Sequence, residues 1–189
     1  MESVCVPGLW GCILRIPPQS DPLSSDVFVI EGRERFYVFD AGASDAAYEA
    51  VAGLEKPVTF ILSHFHRDHT ANMSRLAGDV LGGARTCKYI GRGTKVDAPL
   101  GIEDGVSLLV QPCVSPHAPG CLILTVDRTC TLLGDLIYAR QGAGAGERMG
   151  MLRTLKGVDT RYFILSHGDT PRLVEKESLL RSLKEGFGG

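Results

Sequence analysis

The chain has 189 residues, 44% of them hydrophobic and 22% charged, with 20 Lys+Arg against 22 Asp+Glu and a formal net charge of −2. That length suits one domain spanning residues 1–189, and that apolar fraction excludes a disordered chain. The near-balanced charge and 7% aromatic content remove the electrostatic and stacking arguments for a nucleic-acid partner, and no apolar run approaches the ~20 residues of a membrane span.

Met1–Gly8 lacks the basic start and small-residue cleavage site of a secretory signal, so a cytoplasmic location is expected, with no membrane partner. The six cysteines (Cys5, Cys12, Cys87, Cys113, Cys121, Cys130) form no C-x-x-C pair and read as reduced, mostly buried thiols. A Cys5–Cys12 disulfide is the alternative. Three short runs rich in Val, Ile, Phe and Tyr open the chain as strands, at Leu9–Ile16, Val27–Glu31 and Phe36–Phe39. Ala47, Val51 and Leu54 recur at helical spacing behind Ser44, which predicts a helix over 45–54 with Ser44 as its N-cap. Val58–Leu62 is an apolar run that fits a buried strand, and it ends directly at Ser63-His64. Further strands are predicted at 88–90, 106–110, 122–126, 131–133 and 162–165, with a Gly-rich surface loop over 139–148. Helices are expected near 147–155 and over 171–184, the latter with Pro171 at its start. Strands dominate but helices are interspersed, which points to sheets covered by helices.

The histidines carry the chemistry. Three of the five fall in His64-Phe65-His66-Arg67-Asp68-His69, immediately after a predicted buried strand, and His117 and His167 each stand beyond a β-rich run. In extended backbone residues i and i+2 project to one side, so His64 and His66 can reach a single metal ion together. Asp68 and His69 follow as the chain turns and can reach a second position nearby. Imidazole and carboxylate suit Zn²⁺, and also Fe or Mn. Two adjacent cations call for a bridging carboxylate, and Asp135, after an apolar strand and the turn-permitting Gly134, is the best candidate.

This series resembles the metallo-β-lactamase-fold metallohydrolase superfamily. Val38-Phe39-Asp40-Ala41-Gly42 is similar to its early Asp-x-Gly motif, Ser63–His69 to the signature loop, Ser115–Gly120 to the third motif, Gly134-Asp135 to the fourth and Ser166-His167-Gly168 to the last. The resemblance implies an α/β fold, a four-layer αββα sandwich of two mixed β-sheets flanked by helices. It also implies a dinuclear site like that of glyoxalase II. His64, His66 and His117 would hold one divalent cation, Asp68, His69 and His167 a second, and Asp135 would bridge. Asp68 would have the catalytic role of orienting the nucleophile, and Asp40 would hydrogen-bond and orient the ligand loop. Ala71, Pro116 and Ser166 stand where Gly is usual in the family. The implied activity is hydrolysis of a small ester, thioester or lactone by a metal-bridging hydroxide, with two ions, most readily zinc, as cofactors and a small molecule as partner. Alternatives are a mononuclear iron persulfide dioxygenase-like oxidoreductase, a phosphodiesterase, and a metal-binding scaffold without turnover. A flavodiiron-type reductase would want Glu where His66 stands and a flavin domain besides. The 22 residues after His167 accommodate one helix, short of the helical domain that helps glyoxalase II bind glutathione.

The other residues near the motifs have plainer readings. Arg67 is expected in solvent, Asp127 and Asp169 in ordinary turns, and Cys113 and Cys121 as packed thiols. Tyr138 is expected to be buried in a sheet face, with an oxyanion-donor role as the alternative.

Overall fold

The computed structural model describes residues 1–9, 11, 13–168 and 172–186. The N-terminal half contributes strands β1 (Glu2–Val4), β2 (Ile13–Ile16), β3 (Gln19–Ser20), β4 (Leu23–Ser24), β5 (Val27–Glu31), β6 (Phe36–Phe39), β7 (Val58–Leu62), β8 (Asp79–Gly82) and β9 (Thr94–Lys95). Between and beyond them lie helices α1 (Asp45–Ala52), α2 (Arg67–Thr70) and α3 (Ala84–Ile90), with a 3-10 turn at Ala71–Ser74. The C-terminal half supplies β10 (Leu100–Glu103), β11 (Ser107–Cys113), β12 (Cys121–Val126), β13 (Cys130–Leu132), β14 (Tyr162–Leu165) and β15 (Arg172–Glu175), with α4 (Ala145–Gly157) and α5 (Lys176–Gly186).

Each half builds one mixed sheet. The first runs β1-β2-β5-β6-β7-β8-β9, antiparallel up to β6 and parallel from there on. The second runs β10-β11-β12-β13-β14-β15, antiparallel except where β13 lies parallel to β14. The alternation of side chains along each strand decides the layers. In Val-Phe-Val-Ile-Glu of β5, Phe28 and Ile30 face the second sheet while Val27 and Val29 face outward, and all four are buried. The inner face joins Phe39 and Ile61 to Leu108, Leu122, Leu132 and Ile164 of the opposite sheet. Outside the first sheet, Val27, Val38, Phe60 and Leu62 pack on Ala47, Val51, Met73 and Leu76. Outside the second, Ile123, Phe163 and Leu165 pack on Met151, Leu152 and Leu155 of α4 and Leu179 and Leu180 of α5. Strands buried on both faces read as unbroken apolar runs, which is how β5, β6, β7 and β14 look in the sequence.

These four strands have the predicted bounds. Helix α1 starts as expected, with the Ser44 Oγ accepting from the Ala47 N–H at 3.2 Å, a cap worth about 1 kcal/mol. Four expectations need correction. Residues 88–90 are not a strand but the end of α3, which runs from Gly83 to a left-handed Gly91 (φ +76°). Three apolar-leaning residues are too short a window to separate the two periods. The strand of that region is β8, which ends six residues before Lys88. Residues 172–175 form β15, paired antiparallel with β14, and the helix begins only at Lys176. Strand β2 starts at Ile13, not Leu9, and α4 extends to 145–157 by taking in the end of the Gly-rich loop. Cys12, Asp169 and Pro171 lie outside the described residues. Among the described cysteines, Cys5, Cys87, Cys113, Cys121 and Cys130 are free thiols, Cys5 exposed and Cys121 and Cys130 buried.

Candidate metal centre

Parallel pairing places the C-terminal ends of β6 and β7 side by side, and likewise those of β13 and β14. The residues after them are Asp40, Ser63-His64, Gly134-Asp135 and Ser166-His167, so four strand ends from two sheets open on one edge. The fifth segment is the turn 114–120 between β11 and β12, which carries His117. The Leu122 N–H donates to the Ser63 carbonyl at 2.8 Å and ties the sheets together at this edge.

All seven predicted ligands meet here, in two groups within which the candidate ligand atoms lie within 4.8 Å of one another: His64, His66 and His117, then Asp68, His69, Asp135 and His167. Asp135 faces both. Its Oδ2 lies 3.4 Å from His117 Nε2, while its Oδ1 lies 3.4 Å from His69 Nε2 and 3.1 Å from His167 Nε2. Asp68 Oδ2 completes the second group, 3.4 Å from His69 Nε2 and 3.5 Å from His167 Nε2.

Hydrogen bonds fix which nitrogen of each ring is left to bind. Asp40, fully buried at φ +62°, accepts from the Ser63 N–H (2.8 Å), the Ser63 hydroxyl (2.8 Å) and His69 Nδ1–H (2.7 Å). With its only proton given to Asp40, the Ser63 Oγ accepts from His64 Nδ1–H at 2.9 Å. His117 Nδ1–H donates to the Tyr138 carbonyl at 2.8 Å. The free electron pairs are therefore on Nε2 of His64, His69 and His117, and all three face the cluster. Of the five buried side-chain polar atoms without a hydrogen-bond partner among the described residues, two are His64 Nε2 and Asp135 Oδ1. Orphaned buried atoms are rare, and a cation satisfies both.

Electrostatics agree with that division. Burial, with the neighbouring rings, pushes His64 down to about 2, and burial also lowers His66. For His69, burial acts downward but the Asp40 and Asp135 carboxylates outweigh it and raise the ring to about 10. The Asp135 carboxylate, 3.1 Å from its Nε2, raises His167. Burial opposes ionisation of Asp135, yet its contacts with His167 and His69 hold it well below the usual carboxylate range. In the second group the carboxylates hold protons on the rings beside them, and a cation bound there would displace those protons and take the Nε2 electron pairs.

The backbone is shaped to the same end. Gly134 has φ +53°, and a Cβ there would stand 2.7 Å from both Cβ and Oγ of Ser63. We expect Gly134→Ala to destabilise the protein by about 2 kcal/mol or more and to reduce metal uptake, as read by thermal melting and metal analysis of the same sample.

Sequence reading missed one pair. Arg15 and Asp26 are a buried ion pair, 1% and 0% exposed at the side chain. The second Asp26 oxygen accepts from the His167 N–H at 2.6 Å, and Arg15 donates to the Gly168 carbonyl. The clamp thus holds the backbone of the His167 turn, where His167 sits at φ +61°. The available signal was an arginine inside the apolar run Ile13–Ile16. Burial raises the Asp26 carboxyl despite Arg15. Tyr138 is not in a sheet face as expected: it lies in the turn after Asp135, with its hydroxyl donating to the Ser166 carbonyl at 2.8 Å, so that proton already has an acceptor. Arg67 is exposed as expected, and Asp127 occupies a turn with its Oδ1 accepting from the Ser107 N–H. Ala71, Pro116 and Ser166 displace none of the seven side chains from the cluster.

No protein-family model and no curated protein matches this sequence. Solved structures match it by shape. A metallo-β-lactamase from Pontibacter korlensis superposes with TM-score 0.71 at 15% identity, covering 97% of each chain. An archaeal metallo-β-lactamase superfamily protein from Sulfolobus tokodaii gives 0.68 at 18%, over 92% of this chain and 85% of that one. The chemotaxis sensor ODP, solved as a peroxy diiron species, gives 0.74 at 14%, over 98% and 94%. At identities this low the likeness speaks for architecture alone: the chain has the metallo-β-lactamase fold, a four-layer αββα sandwich.

Proposed function

We propose that this chain is a dinuclear metal-dependent hydrolase acting on a small ester, thioester or lactone. The observation that carries the reading is Asp135, whose two carboxylate oxygens face the two ligand groups separately. His64, His66 and His117 would hold one ion and Asp68, His69 and His167 the other, with Asp135 shared. A pair of divalent cations, when bound, lowers the pKa of water from ~15.7 toward ~7 and polarises a substrate oxygen. The protein's own share is positioning. Asp40 and Ser63 keep the Nδ1 protons of His69 and His64 in place, so the Nε2 pairs stay directed inward. Asp68, partly exposed at 16% on the cluster's open side, is placed to accept a hydrogen bond from the attacking water and orient it. An open rim of this kind, in place of a closed four-ligand shell, favours turnover over a structural role.

The test is metal content per chain combined with a hydrolysis panel. Two ions per chain, turnover of a thioester or lactone, and loss of that turnover on chelation are expected; His66→Ala should bind fewer ions and lose activity. Turnover that survives metal removal rejects the reading, and two ions without turnover of anything favours a scaffold. The likeness to the ODP diiron sensor supports one second reading, an iron oxidoreductase. Iron bound in preference to zinc, with oxygen uptake and no hydrolysis, would select it.

A further inference from the structure

The cluster's first group adjoins a surface that its metal chemistry does not use. Phe65, between His64 and His66, sets its ring 4.9 Å from the His66 ring, edge to face. On Phe65 lies the guanidinium of Arg85, its Cζ 4.6 Å from the ring centroid, and the exposed Tyr89 ring stands 6.1 Å away. Arg85 and Tyr89 are one turn apart on α3. That helix is not free to drift, because its start packs backbone to backbone on the His117 turn, where any Cβ at Gly83 would collide with the Gly120 carbonyl.

Two features make this a recognition surface for an anion. Arg85 has no carboxylate partner among the described residues, unlike Arg140, which Glu147 neutralises at 2.7 Å, or Lys95, which Asp97 neutralises at 2.8 Å. The guanidinium lies over the Phe65 ring while Arg85 stays exposed, so its N–H groups are open to solvent, in the fork geometry that matches a carboxylate. The surroundings have one sign as well. From Val80 to Val96 the chain carries four exposed cations (Arg85, Lys88, Arg92, Lys95) and no acid, and with Lys95 paired to Asp97 three of them remain, in a protein whose net charge is −2.

We propose that Arg85 is a specificity-determining residue that binds a carboxylate of the substrate, so that the preferred substrates are acyl compounds bearing a negative charge a short distance from the scissile carbonyl. Phe65 and Tyr89 would flank the apolar spacer between the two. The proposal rests on the hydrolase reading for its activity test but not for its binding test.

The experiment uses the full-length, metal-loaded protein with succinyl and butyryl thioesters of one thiol, which differ by a carboxylate in place of a methyl. The succinyl-to-butyryl ratio of kcat/KM is expected to exceed one. It should fall about tenfold or more in Arg85→Ala, the loss of a charge-assisted contact, with Arg85→Lys intermediate. A ratio unchanged by both substitutions overturns the proposal. Should neither thioester be hydrolysed by the loaded protein, the hydrolase reading fails by itself, and calorimetric binding of succinate decides the anion site. Weaker succinate binding by Arg85→Ala supports it; equal binding by both proteins overturns it. Arg85-dependent binding of a single-stranded RNA with no binding of succinate also overturns the small-carboxylate assignment.

Discussion

Asp40→Asn is expected to leave the protein folded and to cost it the second of the two proposed ions. The Asn oxygen can still accept from the Ser63 N–H, and Asn tolerates the left-handed backbone that Asp40 adopts at φ +62°. The other terminal atom becomes an NH₂ facing His69 Nδ1, 2.7 Å away in the native protein. Two donors cannot share that contact, so His69 shifts its proton to Nε2 and withdraws the electron pair that faces Asp135 and Asp68. Groups that orient ligands in this way typically change metal affinity by 10–100-fold. The Ser63 hydroxyl loses the same acceptor but can donate to the bared His69 Nδ1, 3.4 Å away, so it still accepts from His64 and the first group is affected less. Metal analysis after dialysis at limiting free zinc should therefore approach one ion per chain, while thermal melting of the metal-free protein changes little. Two ions at native affinity would show that Asp40 has no hold on the His69 tautomer.

Asp26→Ala tests the opposite side of the centre, and its effect should be larger. Removing one partner of a buried ion pair typically costs about 3–5 kcal/mol, because the remaining charge has no partner, and Arg15 is only 1% exposed. Glu2, 2.6 Å from an Arg15 Nη1, is itself 45% exposed and gives partial compensation. Global destabilisation would hide the local consequence, so the informative variant is Arg15→Met combined with Asp26→Leu. Apolar replacement of both partners is often neutral or stabilising. It also removes the acceptor of the His167 N–H and the donor to the Gly168 carbonyl. The double variant should melt near the native temperature and yet bind the second ion more weakly. Native metal affinity in a well-folded double variant would mean that the His167 turn holds its conformation without the clamp.

The two results concern different routes to one end. Asp40 acts through the protonation state of a ring and Arg15–Asp26 through the placement of a backbone. The ligands they act on, His69 and His167, belong to one group with their Nε2 atoms 3.3 Å apart, so their effects on second-ion affinity should couple and not simply add when combined.

The seven candidate ligands were legible from residue order alone because their chemistry is concentrated: five histidines in the whole chain, each beside a strand end or a Pro/Gly turn. Strands β5, β6, β7 and β14 were legible too, since burial on both faces leaves a continuous apolar signature that needs no partner to recognise. The edge strands β9, β10 and β15, and β8 beside β9, were not. Arg172–Glu175 has no strand signature of its own strength and becomes a strand by pairing with β14, a stabilisation that comes from a segment ten residues away.

What local sequence determined, then, is the inventory of candidate metal ligands and the buried strands that deliver them to their ends. Which imidazole nitrogen faces inward was decided only by the folded molecule, through bonds from residue 40 to 63 and 69, from 117 to 138 and from 26 to 167. So were the neighbours of Arg15 and the ring beneath Arg85. A tautomer, a buried charge pair and a stacked cation each depend on one atom's distance to another across the fold, and linear spacing carries no such distance.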